Sequence, residues 1–293
     1  MKQLFPKDAY SGAKFFLEII DNELIIKKCF KTDVELAKKS IRKQQSFKSQ
    51  SINNDILVRA APVYGINFSV DHWATLKFPF EFGLSGSSLL SRGSLVGILL
   101  LKSFVEDHIK QIIFSVKGEE LNRTRMFNKI RSIISDTRDS EIKEILNKVS
   151  SELEKKIETK AVFWPANFSC HGDLTLSNII VNEDERKIVL IDFSAVYAEN
   201  AIQDLTKLIQ DIWYGWTSRR GTQLERDRSK IISNSIWPKE LWHNSPKWLQ
   251  VATMIEVYVT LMRIAPYISE NDNITKRWLL NSLKLHHEKF EFY

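Results

Sequence analysis

Cysteine is nearly absent from this chain. Its 293 residues include Cys29 and Cys170 and no other. Two cysteines make no disulfide framework, and these lack metal-site spacing, which fits a reducing compartment. Also missing is an apolar run that could cross a bilayer. The longest, Leu95-Val96-Gly97-Ile98-Leu99-Leu100-Leu101, is far short of the roughly 20 residues needed and reads as a buried helix. The segment Met1-Lys2-Gln3-Leu4-Phe5-Pro6-Lys7-Asp8 lacks the apolar core of a secretory signal. These absences predict a cytoplasmic protein without integral membrane association. There is no internal repeat, low-complexity tract or coiled-coil heptad. Nor is charge extreme: the net value is +6, and basic residues are scattered except along Lys38-Lys39-Ser40-Ile41-Arg42-Lys43. That run reads as a solvated helix face, and no nucleic acid partner is expected.

The composition that remains is that of a globular protein, long enough for one large domain or two lobes. Phe15 to Ile20, a turn at Asp21-Asn22, and Glu23 to Lys28 read as a β-hairpin. Thr32-Asp33 offers an N-cap to a polar helix through Val34, Leu36, Ile41 and Phe47. Ile56-Leu57-Val58 and Trp73 to Phe78 look like two more strands. Phe80-Glu81-Phe82-Gly83-Leu84-Ser85-Gly86 then breaks the pattern, and most of the chain beyond it has helical spacing, clearest from Ser140 to Thr159. A second hairpin, Asn178 to Val181 and Lys187 to Ile191, interrupts the helices, which resume near Gln203.

The chemistry is concentrated at that interruption. His171-Gly172-Asp173-Leu174-Thr175-Leu176-Ser177-Asn178 is followed by Ile191-Asp192-Phe193. Phosphoryl transfer needs such a trio: one carboxylate to orient the attacking hydroxyl and take its proton, then an amide oxygen and a second carboxylate for a metal on the phosphates. Each alone has an ordinary explanation, Asp173 as a turn cap and Asn178 as an Asx-turn. Asp192 ends the apolar run Val189-Leu190-Ile191, where an acid is costly to bury without a partner. Cys170 beside His171 reads as a small buried side chain rather than a nucleophile, because adjacent strand residues point to opposite faces.

Asp-x-x-x-x-Asn with a later Asp-Phe matches a kinase catalytic loop, while Gly172 and Ser194 depart from the protein-kinase sequence. The segment resembles the aminoglycoside phosphotransferase and choline kinase-like superfamily of small-molecule kinases. The resemblance implies an α+β, bilobal protein-kinase-like fold. Residues 1–82 would form a β-rich N-terminal lobe on the nucleotide phosphate side, and 83–293 a mainly helical lobe with the acceptor site. It implies Asp173 as the residue that orients the acceptor hydroxyl, with His171 bracing the loop. Asn178 and Asp192 would hold Mg²⁺, and Glu81 and Phe82 would line the nucleotide at the hinge. ATP or GTP would be the phosphoryl donor.

Leu24-Ile25-Ile26-Lys27 resembles the strand that carries the phosphate lysine, so Lys27 is preferred to Lys28, its neighbour on the opposite face. The acid that pairs with that lysine is missing from the next helix, where Gln44 or Gln45 would substitute. Only Gly12 marks the phosphate-covering turn. Asp204 resembles a family helix start that fastens the loop. Trp213, Tyr214, Trp216, Arg219 and Arg220, read on the same helix, suit either an acceptor carrying an anionic group or core packing. The implied activity is γ-phosphoryl transfer to a hydroxyl of a small molecule, with a sugar, amino sugar or surface-glycan precursor first. The alternative is a nucleotide-binding pseudokinase acting as a scaffold. A protein kinase is disfavoured because Asp204 follows Asp192 too closely for an activation loop. Oligomeric state is not legible.

Overall fold

The computed structural model describes every residue except 1, 4–12, 70, 72, 116, 121, 159–162, 166–169, 197–198 and 291–293. Gly12 therefore lies outside the described residues. Strands β1 (Lys2–Gln3), β2 (Lys14–Ile20) and β3 (Glu23–Lys31) begin a five-stranded antiparallel sheet. The β2–β3 turn holds Asp21 and Asn22 at φ 50° and 65°, a left-handed region that these two residue types enter at least cost. Helix α1 (Val34–Ser46) starts where Asp33 accepts the amides of Glu35 and Leu36, and it buries Ala37 and Ile41.

The next strands divide between two sheets. β4 (Gln50–Ile52) and β5 (Ile56–Ala60) form a hairpin, then come β6 (Gly65–Phe68) and β7 (Trp73–Pro79). The first sheet has the order β1-β2-β3-β7-β6. Ile56-Leu57-Val58, expected with Trp73 to Phe78 as a strand of the N-terminal lobe, is absent from it. That place is taken by β6, whose four residues are too short and mixed to read as a strand.

The second sheet begins with β8 (Leu84–Ser85), which leads into α2 (Gly86–Arg92) and α3 (Leu95–Ser115). β9 (Gly118–Glu120), α4 (Arg123–Asp136), α5 (Ser140–Glu158) and β10 (Phe163–Pro165) follow, with β10 antiparallel to β9. β11 (Ile179–Asn182) and β12 (Lys187–Leu190) form the second hairpin. The sheet order is β4-β5-β12-β11-β8, with β5 and β12 parallel. Helices α6 (Ile202–Ile212), α7 (Gln223–Ile236), α8 (Lys239–His243), α9 (Lys247–Met262) and α10 (Asn273–Phe290) complete the chain.

The core runs from the inner face of the second sheet through these helices. In α5 the apolar spacing buries Ile142, Leu146, Leu153 and Ile157, and α9 is buried almost all round, as a central helix must be. The apolar run at Leu95 is only half buried: Ile98, Leu100 and Leu101 enter the core while Leu95 and Leu99 face outward. No described helix is long and apolar enough to cross a membrane. The fold is thus α+β, a sheet with one long helix over a larger, mainly helical part.

Candidate active site

The loop from His171 to Asn178 hangs from α6 by two aspartates. Asp204 accepts the amides of His171 and Gly172, both at 2.8 Å. Asp211, two turns on, accepts the amide of Leu176 at 2.6 Å. Gly172 has φ +87°, and a Cβ there would collide with the Ser194 carbonyl oxygen. The glycine between His171 and Asp173 is therefore a packing requirement: only hydrogen lets the loop lie against the segment after Asp192. The two are stitched by the Ser194 amide donating to the His171 carbonyl at 3.0 Å.

His171 is buried and spends both ring nitrogens on the backbone. Nε2 donates to the Ile191 carbonyl at 2.8 Å, and Nδ1 takes the Asp173 amide at 3.2 Å. Burial pushes its pKa down, against the neighbouring carboxylates, so the ring is a neutral brace. Phe193 packs on it, with centroids 4.2 Å apart.

Asp173 retains side-chain exposure of 36%, while Lys207, on α6, brings a nearly buried ammonium to 3.0 Å from Oδ1. Burial works to raise the Asp173 pKa, but Lys207 outweighs it and holds the carboxyl below its ordinary value, with Arg263 adding to the effect. Asn178 donates its amide nitrogen to the Asp173 carbonyl at 2.8 Å, which leaves its side-chain oxygen for another partner. The Ile191 amide donates to the Asn178 carbonyl at 3.0 Å. Asp173 and Asn178 are thus hydrogen-bonded to each other, and the bond from Ile191 places Asp192 beside them. Asp192 has φ 64°, and its half-exposed carboxylate is paired with Lys28.

That pairing corrects the choice of lysine. Lys27 turns to the other face of β3 and lies 3.6 Å from Glu18. Lys28 is buried between the rings of Phe15 and Phe30, with Nζ on Asp192. The apolar triplet before a lysine does not settle which face it takes; the strand's pairing does. Gln45 is exposed and forms no part of the site, since it sits on the outer side of α1. Gln44 donates to the Ala61 carbonyl at 2.6 Å. From α1, Lys43 does reach the Asp192 segment, bound to the Ser194 carbonyl at 2.7 Å and paired with Glu199.

At the crossing between the two parts, Glu81 is buried and holds Arg59 through both carboxylate oxygens at 2.8 Å. Its side chain is thus committed to the protein, and any contact with a nucleotide would come from the backbone. Phe82 is 62% exposed and lies edge-on to Phe80. Gly83, at φ +140°, passes so close to β11 that a Cβ would strike the Val181 carbonyl.

The tryptophan and arginine group does not continue α6, which ends at Ile212; Gly215 at φ 65° turns the chain away. Trp216 packs on Trp278 with Arg219 stacked 3.5 Å above it, and Arg220 pairs with Asp272 at 2.6 Å. Cys170 is buried with its thiol pKa pushed far up by that burial, which makes it unreactive. The residues not anticipated are Lys43, Glu199, Lys207, Asp211 and Arg263. Lys207 had a signal: it follows Asp204 by three positions, one turn along the same helix face.

A small antiparallel sheet and helix above a helical body, with an Asp–Asn–Asp loop where they meet, is a protein-kinase-like arrangement. The sequence profile of the family described as APH, phosphotransferase enzyme family, matches residues 113–231, a span that contains Asp173, Asn178, Asp192 and Asp204. That span resembles the aminoglycoside phosphotransferase and choline kinase-like superfamily. No curated protein matches it in sequence. Among solved structures, a thermostable mutant of the aminoglycoside phosphotransferase APH(4)-Ia, in ternary complex with AMP-PNP and hygromycin B, aligns with a TM-score of 0.59 at 10% identity, over 98% of this chain and 92% of that one. APH(3'')-Id from Streptomyces rimosus gives 0.50 at 16% identity, over 86% and 90%. An aminoglycoside-3'-phosphotransferase of type VIII gives 0.50 at 14% identity, over 88% and 93%. At these identities the likeness is one of fold.

Proposed function

We propose that this protein transfers the γ-phosphoryl group of ATP or GTP to a hydroxyl of a small molecule. The observation that carries the proposal is the convergence of Asp173, Asn178 and Asp192: Asn178 donates to the Asp173 carbonyl, and its own carbonyl accepts the amide of Ile191, next to Asp192. In it, ionised Asp173 orients the acceptor hydroxyl and receives its proton as the in-line displacement proceeds. Lys28 takes the phosphates from the small lobe. The backbone at Glu81 and Phe82 borders the nucleotide base, and the 1–82 and 83–293 lobes divide the work between donor and acceptor.

Asn178, with its amide oxygen free, and Asp192, with an exposed carboxylate, are the hard oxygen donors that suit Mg²⁺. Among the described residues no group of three or more His, Cys, Asp or Glu is placed to hold a metal, so the remaining ligands would be phosphate oxygens and water. Such an ion supplies neutralisation of phosphate charge. The resting pair of Lys28 with Asp192 fits this arrangement, since both partners have their opposite charges supplied when the donor binds.

For the acceptor we favour a sugar, amino sugar or glycan precursor. A polycationic antibiotic would approach Asp173 past Lys207 and Arg263, two cations beside the reacting oxygen. The test is transfer from Mg-ATP and Mg-GTP to a panel of neutral sugars, sugar phosphates, amino sugars, choline and aminoglycosides. Wild type transfers to members of the first three groups, and Asp173→Ala loses at least about 10²-fold. Tight nucleotide binding with no transfer to any hydroxyl would favour a scaffold instead, a reading whose support is the missing acid on α1.

A further inference from the structure

Lys207 has more capacity than its ion pair uses. Its side chain is 9% exposed, and the one partner it has among the described residues is Asp173 Oδ1 at 3.0 Å. An ammonium carries three donors, so two are left without an acceptor among the described residues, although the Asp211 carboxylate one turn along also feels the charge. Burying an ammonium is costly unless its charge and its protons are all satisfied. The other Asp173 oxygen is 3.3 Å from the Asn178 amide nitrogen. The open side of Asp173 and the spare donors of Lys207 therefore share one small volume. In the proposed reaction this is where the acceptor oxygen meets phosphorus.

We propose that Lys207 is a catalytic residue, donating a hydrogen bond to a non-bridging oxygen of the phosphoryl group in transfer. The inference rests on the phosphotransferase reading and deepens it. The bond from acceptor oxygen to γ-phosphorus forms as the bond from that phosphorus to the β,γ-bridging oxygen breaks. The nucleoside diphosphate leaves with the electron pair, and the hydroxyl proton passes to Asp173. Charge spreads over the non-bridging oxygens in such a transition state, so a fixed donor aimed at one of them lowers the barrier more than it aids binding. The loop itself offers no cation: from His171 to Asn178 it contains neither lysine nor arginine. Helix α6 supplies one from outside, on the element that already fastens the loop through Asp204 and Asp211.

The test compares Mg-AMP-PNP, which carries a γ-phosphoryl group, with Mg-ADP, which does not. Calorimetry is run on wild type, Lys207→Met and Lys207→Arg. The expected result is that Lys207→Met weakens Mg-AMP-PNP about tenfold and leaves Mg-ADP within twofold, while Lys207→Arg restores most of the difference. Hydrolysis of Mg-ATP, with water as acceptor, falls about 10²-fold in Lys207→Met. A structural role predicts instead that both nucleotides weaken together, or that neither does; either result overturns the proposal. Wild type that binds neither nucleotide would remove the phosphotransferase reading itself, and this inference with it. Unchanged Mg-ADP affinity in the variant also shows that it has folded.

Discussion

Two glycines set the geometry of the site, each for a reason that can be checked by adding one carbon. Gly172 must leave room for the Ser194 carbonyl and Gly83 for the Val181 carbonyl, and both hold positive φ. Alanine at 172 combines backbone strain with a collision against the chain rather than a movable side chain. Gly172→Ala is expected to cost at least about 2 kcal/mol in urea unfolding and to abolish phosphate transfer. At this scale Asp173, Asn178 and Asp192 were legible because their spacing is a chemical requirement. Lys27 was preferred, yet Lys28 is the one that meets Asp192, because alternate strand residues differ only in face, and the face is chosen by β2 and β7. The contrast is testable: Lys28→Ala should cut turnover at least about 10²-fold, and Lys27→Ala should stay within a few-fold.

Between elements, the absent acid on α1 is explained by what stands nearby. Lys43 binds the Ser194 carbonyl and Glu199, Lys39 lies 3.1 Å from the same carboxylate, and Ser40 accepts the Ala195 amide at 2.8 Å. Helix α1 therefore grips the chain beyond Asp192 with cations rather than gripping a strand lysine with an anion. Lys43→Met should destabilise by about 1–3 kcal/mol in chemical unfolding, since it strands the Ser194 carbonyl and leaves Glu199 with Lys39 as its remaining cation. No local sequence rule could give this, because the two partners are far apart in the chain.

A second inter-element device joins α9 to α10. His286 is fully buried, donates to the Met254 carbonyl at 2.7 Å and takes a hydrogen bond from Tyr214 at 2.7 Å. Burial pushes its pKa down to about 3, aided by the charges of Lys289, His287 and Lys156. The folded ring stays neutral where the unfolded one is protonated, so stability is full above the ordinary histidine value and is lost as pH falls from about 6.5 towards 3. Thermal unfolding across that range should show a steeper acid decline in wild type than in His286→Gln, even if the variant starts lower.

At the scale of the molecule, the two-part architecture was readable from the hairpin, the helix and the second hairpin. What escaped was the exchange between parts: β5 leaves its neighbours for the second sheet, and a short strand from Gly65 takes its place. A short apolar triplet fits either sheet, and the choice depends on partners that only the assembled chain provides. The tryptophan and arginine group was less legible still, because Trp213 to Arg220 lie on a turn after α6, where Trp213 packs on Trp237 and Trp216 on Trp278 of α10.

The pair between Lys28 and Asp192 has a consequence for selectivity. The unliganded site is its own counter-ion, a cation from one sheet closing on an anion from the other part. Free phosphate could satisfy the lysine only by leaving the aspartate bare, and a free divalent ion could satisfy the aspartate only by leaving the lysine bare. A nucleotide that arrives with its metal replaces both partners at once. On the proposed reading, the lock admits its two keys only together, and loading is an exchange of ions rather than the filling of an empty hole.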